Sequence, residues 1–277
     1  MTSSDQTVVT QDDIERGLRE VGLQSGDVAF VHSSLSSMGW VEGGPATVIA
    51  AFLNVLDPEQ GTLVVPTLCQ EDGDRRFETW DIERSPSDVG AVTEAGRMHP
   101  AAIRSDHPTH SVAAIGALAE AITSGHELAQ ARPSPWGPAA FGIGSPWEKL
   151  YGLDAQYLFL GTSTSCATIA HFAQAEFVRS VLDDLPEDLR GEFEAELGGW
   201  RHEGVWPSFA FALVEEWVIE RHGMRYATIG FATLRAARTK VIVDSILQKL
   251  HTEGSWFLDD DFLQWLERAN AAMETSP

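Results

Sequence analysis

The sequence predicts an α/β fold, and three observations carry that reading. From Thr10 to Thr67 the chain runs helix, strand, loop, helix, strand, the pattern of a sheet covered by helices. Val28–His32, Thr62–Thr67 and Tyr157–Leu160 are short aromatic and aliphatic runs of the kind that form buried strands. The last of these ends in Gly161 and leads, through a hydroxyl-rich turn, into a run of helix formers.

Each element has a local reason. Thr10 is placed to cap a helix whose first turn carries Asp12, Asp13 and Glu15, favourable at the positive end of the helix dipole. Ile14, Leu18 and Val21 give that helix an apolar face. Gly26-Asp27 turns the chain into the strand Val28–His32. Ser33–Gly44 is a loop of hydroxyls and glycines leading into a helix over Pro45–Leu56, with proline at the first turn. Gly61 precedes the strand Thr62–Thr67. Cys69–Pro86, with Gly73, Arg75 and Arg76, reads as a surface loop. Ser87 or Asp88 is expected to cap a helix over Val89–Met98. His107-Pro108 favours an extended or turn backbone. Ser111–Ile115 reads as a strand and Ala117–Thr123 as a helix.

Arg132–Gly152 is the stretch densest in proline and glycine, but Trp136, Phe141 and Trp147 make it too aromatic for a flexible linker. It is expected to be an ordered loop lining a cleft, with Ser145-Pro146 starting a short helix. Further on, Asp183–Leu197 reads as an acidic solvated face and Pro207–Gly223 as an amphipathic helix. Tyr226–Gly230 reads as a strand and Arg238–Leu250 as a helix. With no internal repeat, low-complexity block or clear linker, residues 1–277 are expected to form one domain.

Composition bounds the function. Lys and Arg number 19 against 41 Asp and Glu, a formal charge of −22. Such a surface repels nucleic acid and anionic membrane and favours cationic ligands, though it also serves solubility. No run approaches the ~18 apolar residues of a membrane span. The polar, acidic N-terminus lacks the apolar core of a signal peptide, and two cysteines make no disulfide framework, so a reducing cytoplasm is the expected location.

The chemistry concentrates in Gln156–Glu176. Thr168, His171 and Gln174 are spaced three apart and share a helix face, which offers a hydroxyl, an imidazole and an amide beside the end of a strand. Gly161-Thr162-Ser163-Thr164-Ser165 resembles a serine-hydrolase elbow but lacks its closing glycine, which weakens Ser163 as a nucleophile. Cys166 near His171 reads more simply as a small core residue than as a thiol nucleophile. His107, His110 and His171 do not make a zinc motif, since HExxH and CxxC are absent and Pro108 disfavours a helix. GxGxxG and GxxxxGK[ST] are absent as well. What remains is a general-base site, with an imidazole to take a proton from an amine and hydroxyl or backbone N–H groups for an oxyanion. The Ser33–Ser37 loop before a helix N-terminus suits a pyrophosphate. Together these describe acyl transfer from a phosphate-bearing donor such as an acyl-coenzyme A.

The stretches VHSSLSSMGWVEGGPATVIAAFL, LVVPT, SPSDVGAVTEAGR, RSDHPTHSVAAIGALA, FGIGSPWEKL and LFLGTSTSCATIAHFAQAE fall in one order over Val28–Phe177. In this the chain resembles the aminoglycoside 3-N-acetyltransferases, the antibiotic acetyltransferase family unrelated to the GNAT fold. The resemblance implies a three-layer α/β/α fold with a mixed central sheet, and acetyl-CoA as cosubstrate. It implies a coenzyme site at His32, Ser33, Ser34, Leu35, Ser36, Thr67, Ser111 and Val112, to which Phe141 of the cleft loop is added. It places acetyl transfer at Thr168 and His171, acting on the 3-amino group of the deoxystreptamine ring of an aminoglycoside, a cationic small molecule.

The family pattern there is T-x-x-H-x-x-E, and the third position here is Gln174. Gln can orient an imidazole but cannot neutralise its cation. The nearest carboxylate, Glu176, is five residues from His171 and points elsewhere on a straight helix, so the catalytic set is His171, Thr168 and Gln174, with Glu176 or another acid to supply the charge. An acetyltransferase of a non-antibiotic amine, or a protein that binds an aminoglycoside without modifying it, stays open as an alternative. So does a homodimer.

Overall fold

A computed structural model describes residues 7–69, 76–198 and 204–274. The chain builds a seven-stranded mixed sheet between two layers of helices. The expected helix at the start is present as α1, Gln11–Glu20. Thr10 accepts from the Asp13 N–H while Asp13 reaches back to the Thr10 N–H, a reciprocal cap that satisfies two otherwise orphan donors. Before it, Val8–Val9 (β1) pairs in parallel with Trp40–Val41 (β3), a two-residue ladder too short to be legible in sequence.

The centre of the sheet is Val28–Ser33 (β2), flanked in parallel by Thr62–Pro66 (β4) and Gln156–Leu160 (β7). Outside these the pairing turns antiparallel. Ile103–Arg104 (β5) and Val112–Gly116 (β6) extend one side, and Arg225–Ile229 (β8) and Ala232–Arg238 (β9) the other, giving the order β5-β6-β4-β2-β7-β9-β8.

Both faces of the sheet are buried, which explains why its central strands read as unbroken apolar runs. Ala29, Val31, Leu63, Val65, Leu158 and Leu160 face α1, Pro45–Leu56 (α2) and Ala91–Arg97 (α4). Phe30, Val64, Tyr157 and Phe159 face the second core. That core holds Ala119–Thr123 (α5), Pro146–Gly152 (α6), Ile169–Asp184 (α7), Leu213–Glu220 (α9), Thr239–Glu253 (α10) and Asp260–Glu274 (α11). The remaining helices are Arg76–Thr79 (α3) and Glu187–Ala195 (α8).

Several expectations are corrected. Neither Ser87 nor Asp88 caps α4; the cap position is Gly90, at φ 134°, and Ser87 instead hydrogen-bonds Thr93 and Glu94. The helix expected over Pro207–Gly223 is confined to α9, and residues 207–210 are irregular. Asp183–Leu197 is more than a solvated face, because Phe193 of α8 is buried edge-on against Trp265. Strand β9 and helix α11 went unanticipated. The expected loop over Cys69–Pro86 includes Gly73 and Arg75, which lie outside the described residues; within it α3 is helical. Among the described residues no helix is long and apolar enough to cross a membrane.

Candidate active site

The site forms where β2 and β7 end side by side. Gly161 follows β7 at φ 70°, and a Cβ there would collide with the Ser37 hydroxyl, so this turn requires glycine to let the 33–38 loop close against it. A short turn over Thr164–Cys166 then delivers the chain to Thr168 at the start of α7.

One turn into α7, His171 Nδ1 lies 2.9 Å from Gln174 Oε1, and Gln174 Nε2 donates to the Pro207 carbonyl at 2.7 Å. This chain of bonds fixes a tautomer. A carbonyl only accepts, so the amide nitrogen must face Pro207 and the amide oxygen must face His171. The imidazole therefore carries its proton on Nδ1 and presents an unprotonated Nε2. Burial pushes the His171 pKa down to about 4, against the opposing effect of the Gln174 bond, so the ring is a neutral base at pH 7. Its walls are aromatic. Trp136 is 3.9 Å away between ring centroids, Phe211 4.8 Å, Phe141 5.7 Å and His110 6.0 Å.

Glu176 has no place in this arrangement, which corrects its assignment to the catalytic set. Five residues along a helix is about 500°, so its side chain leaves from another face. There it binds Arg132 at 2.9 Å and Arg179 at 2.5 Å, and these cations hold its carboxyl below the usual range despite burial. Among the described residues no carboxylate pairs with His171.

His171 and Thr168 line a cavity of about 300 Å³ with His32, Ser33, Thr162 and Phe211. A larger groove of about 960 Å³ lies beside it, walled by Ser33–Ser36, Trp40, Gly43 and Gly44 on one side and 88–91 on the other. Ser33 and Val89 line both, so the two adjoin. The N-terminus of α2 lies at the groove's glycine end, with Gly44 at φ 65° and no side-chain cap. The Gly44 and Thr47 N–H groups bond the Val41 and Gly44 carbonyls and Pro45 has no N–H, which leaves the Ala46 N–H of the first turn for an anion. The Ser33 hydroxyl is buried and has no hydrogen-bond partner among the described residues.

The expected coenzyme residues divide. His32, Ser33, Ser34, Leu35 and Ser36 line the cavity or the groove. Thr67, Ser111, Val112 and Phe141 line neither. Thr67 and Ser111 hydrogen-bond each other at 2.9 Å in the interior, Val112 is a core strand residue, and Phe141 packs edge-on against His110. Phe211, Thr162 and Val89 are lining residues that sequence reasoning missed; no spacing ties them to His171.

The rival nucleophiles lack a base. Ser163 Oγ bonds Ser165 Oγ at 2.6 Å, and burial pushes the Cys166 thiol up. His107 accepts the His110 N–H at 3.1 Å and stacks on His126, so it builds the turn behind the cavity. Among the described residues no group of three or more His, Cys, Asp or Glu is arranged to hold a metal ion.

Comparisons with known proteins place this geometry. An aminoglycoside N(3)-acetyltransferase III from Salmonella sp is 32% identical over 216 residues, covering 71% of this chain and 69% of that one. The SPbeta prophage-derived aminoglycoside N(3')-acetyltransferase-like protein YokD of Bacillus subtilis (strain 168) is 33% identical over 187 residues. That match covers 60% of this chain and 64% of the relative, so the chain spans just under two thirds of its length. Among solved structures, the apoenzyme of aminoglycoside acetyltransferase AAC(3)-IVa superposes with a TM-score of 0.72 at 26% identity, covering 99% of this chain and 100% of that one. A histidine variant of AAC(3)-IVa in complex with a gentamicin superposes at 0.71, with the same identity and coverage. A model of the family described as aminoglycoside 3-N-acetyltransferase matches residues 30–251, a span that holds the groove and the histidine alike, and the chain belongs to that family.

Proposed function

We propose that this chain, as a single domain over 1–277, transfers an acetyl group from acetyl-CoA to the 3-amino group of the deoxystreptamine ring of an aminoglycoside. The observation that carries the reading is His171, whose ring lines a cavity that adjoins a long groove and, bonded to Gln174 through Nδ1, keeps Nε2 unprotonated. The groove fits a coenzyme: its hydroxyls, its glycines and the Ala46 N–H at the start of α2 suit a pyrophosphate, and the orphaned Ser33 hydroxyl stands at the junction where a thioester would enter. Acetyl-CoA supplies the activated acyl carbon.

The chain's own residues supply the rest. His171 takes the proton from the attacking amine, with Gln174 and Pro207 holding the ring so that Nε2 points at its task. Thr168, at the start of α7, offers a hydroxyl to the cavity. The surface charge of −22 draws in a polycationic sugar. The relatives' names and the gentamicin-bound neighbour support an aminoglycoside as acceptor. A content of only two cysteines suits a reducing cytoplasm. Incubation with acetyl-CoA and a panel of aminoglycosides tests the proposal: free thiol should appear with at least one member, and silence across the panel would leave the acceptor assignment without support.

A further inference from the structure

The hydrogen bonds around Tyr157 decide the state of a second imidazole. His32 sits near the end of β2, stacked on Phe159, with Nε2 2.8 Å from the Tyr157 hydroxyl. Tyr157 is fully buried, and its oxygen accepts the backbone N–H of Ile169 at 3.2 Å, the first donor of α7. A buried phenol must donate its own proton, and the acceptor in reach is His32 Nε2. The neutral ring then carries its hydrogen on Nδ1. That Nδ1–H has no partner among the described residues, although His32 is only 7% exposed. The ring lines the same cavity as Thr168 and His171. A ring donor that lines a cavity and has no protein partner is free to meet a group that arrives with the substrate.

We propose that His32 is a catalytic residue, whose Nδ1–H donates a hydrogen bond to the acetyl carbonyl oxygen as that oxygen becomes negative. The inference rests on the acetyl-transfer reading above. In the addition step the amine nitrogen bonds to the carbonyl carbon and the C=O π pair moves onto oxygen, while the amine proton passes to His171 Nε2. In the collapse the oxygen pair re-forms C=O, the C–S bond breaks, and the departing thiolate takes the proton back from the His171 imidazolium. His32 keeps its proton throughout and is needed as a fixed dipole. Burial suits it to that role, because it holds the His32 pKa down at about 3 and keeps the ring neutral across the working pH range. Tyr157 is a positioning residue: it links the start of α7 to His32 and sets the tautomer.

Two substitutions separate this role from a packing role. In His32→Asn the amide nitrogen falls near the position of Nδ1, which keeps a donor toward the cavity and abandons Tyr157. In His32→Gln the amide reaches the position of Nε2, which keeps the Tyr157 contact and loses the cavity donor. Loss of an oxyanion donor lowers kcat by about 100- to 1,000-fold. His32→Gln should fall by that factor with little change in KM for acetyl-CoA, and His32→Asn should keep clearly more kcat. The opposite ranking overturns the proposal, since a merely structural histidine is better replaced by Gln. Nitrogen-15 NMR of histidine-labelled enzyme gives a readout independent of turnover: the proposal expects the Nδ1–H tautomer for His32, and an Nε2–H tautomer overturns it. A wild type that acetylates no amine defeats the functional reading instead, and the NMR result still decides the tautomer.

Discussion

Replacing Gln174 by Glu is the perturbation whose outcome is most tightly set by the structure. Gln174 is 2% exposed and bridges His171 Nδ1 to the Pro207 carbonyl. An ionised Glu at this position would face the imidazolium at about 4 Å between charges, worth about 4 kcal/mol at an effective dielectric of ~20. That attraction favours the imidazolium over the neutral ring, so at about 1.4 kcal/mol per pKa unit it raises His171 by up to about 3 units, from about 4 to about 7. The carboxylate also loses the donor that Pro207 needs, at a cost of about 1–3 kcal/mol that falls on folding stability in either state of the ring. The assay is thiol release against pH. Titration of the acceptor amine is common to both enzymes and cancels in the ratio of their kcat/KM values; that ratio, variant over wild type, should fall below about pH 7. A more basic imidazole should also raise kcat near neutrality by several-fold to about tenfold. Thermal melting should show a loss of a few degrees from the strained Pro207 contact. A ratio that does not fall would mean that the new carboxyl stays protonated against Pro207 and mimics Gln, and would refute the reasoning.

Three further outcomes are expected. Arg132 is 2% exposed and ties Phe141 O, Glu148 and Glu176 together, so Arg132→Met should cost about 3 kcal/mol and lower Tm by roughly 5 °C in a thermal melt. Burial pushes His32 and His107 down to about 3 and His126 and His171 to about 4, so between those values and 6.5 the unfolded chain binds protons that the folded chain does not. Stability should therefore fall as pH drops below 6.5, by up to about 1.4 kcal/mol per pH unit for each ring, and a melt series should show a Tm at pH 5 at least ~10 °C below that at pH 7. If acidic residues steer a polycation, kcat/KM should decline several-fold between ~50 and ~500 mM salt while kcat changes less; a salt-independent kcat/KM would leave the charge a solubility role alone.

The parts of this fold that were legible in sequence are those in which local chemistry and tertiary context agree. The Thr10 cap, the Pro45 helix start and the central strands belong to that class. Strand β9 was not legible because Ala232–Arg238 is rich in alanine and arginine, and its extended form is imposed by pairing with β7. At the site, helical spacing alone brought Thr168, His171 and Gln174 together and turned Glu176 away. The contribution of Pro207 was invisible, because a backbone carbonyl has no side-chain signature, yet it fixes the tautomer of His171. Thr67, Ser111 and Val112 were placed by resemblance near the coenzyme, and in the structure they stand behind the cavity wall.

The central claim, that His171 is the base for acetyl transfer, is tested most directly by comparing wild type with His171→Ala in a thiol-release assay with saturating aminoglycoside. General-base catalysis is worth roughly 100- to 10,000-fold. The account predicts a fall in kcat of that size, with KM for acetyl-CoA nearly unchanged, because His171 lines the cavity and not the groove. A His171→Ala enzyme with near-normal kcat would contradict it, and the search for the base would move to His110, whose ring lies 6.0 Å away.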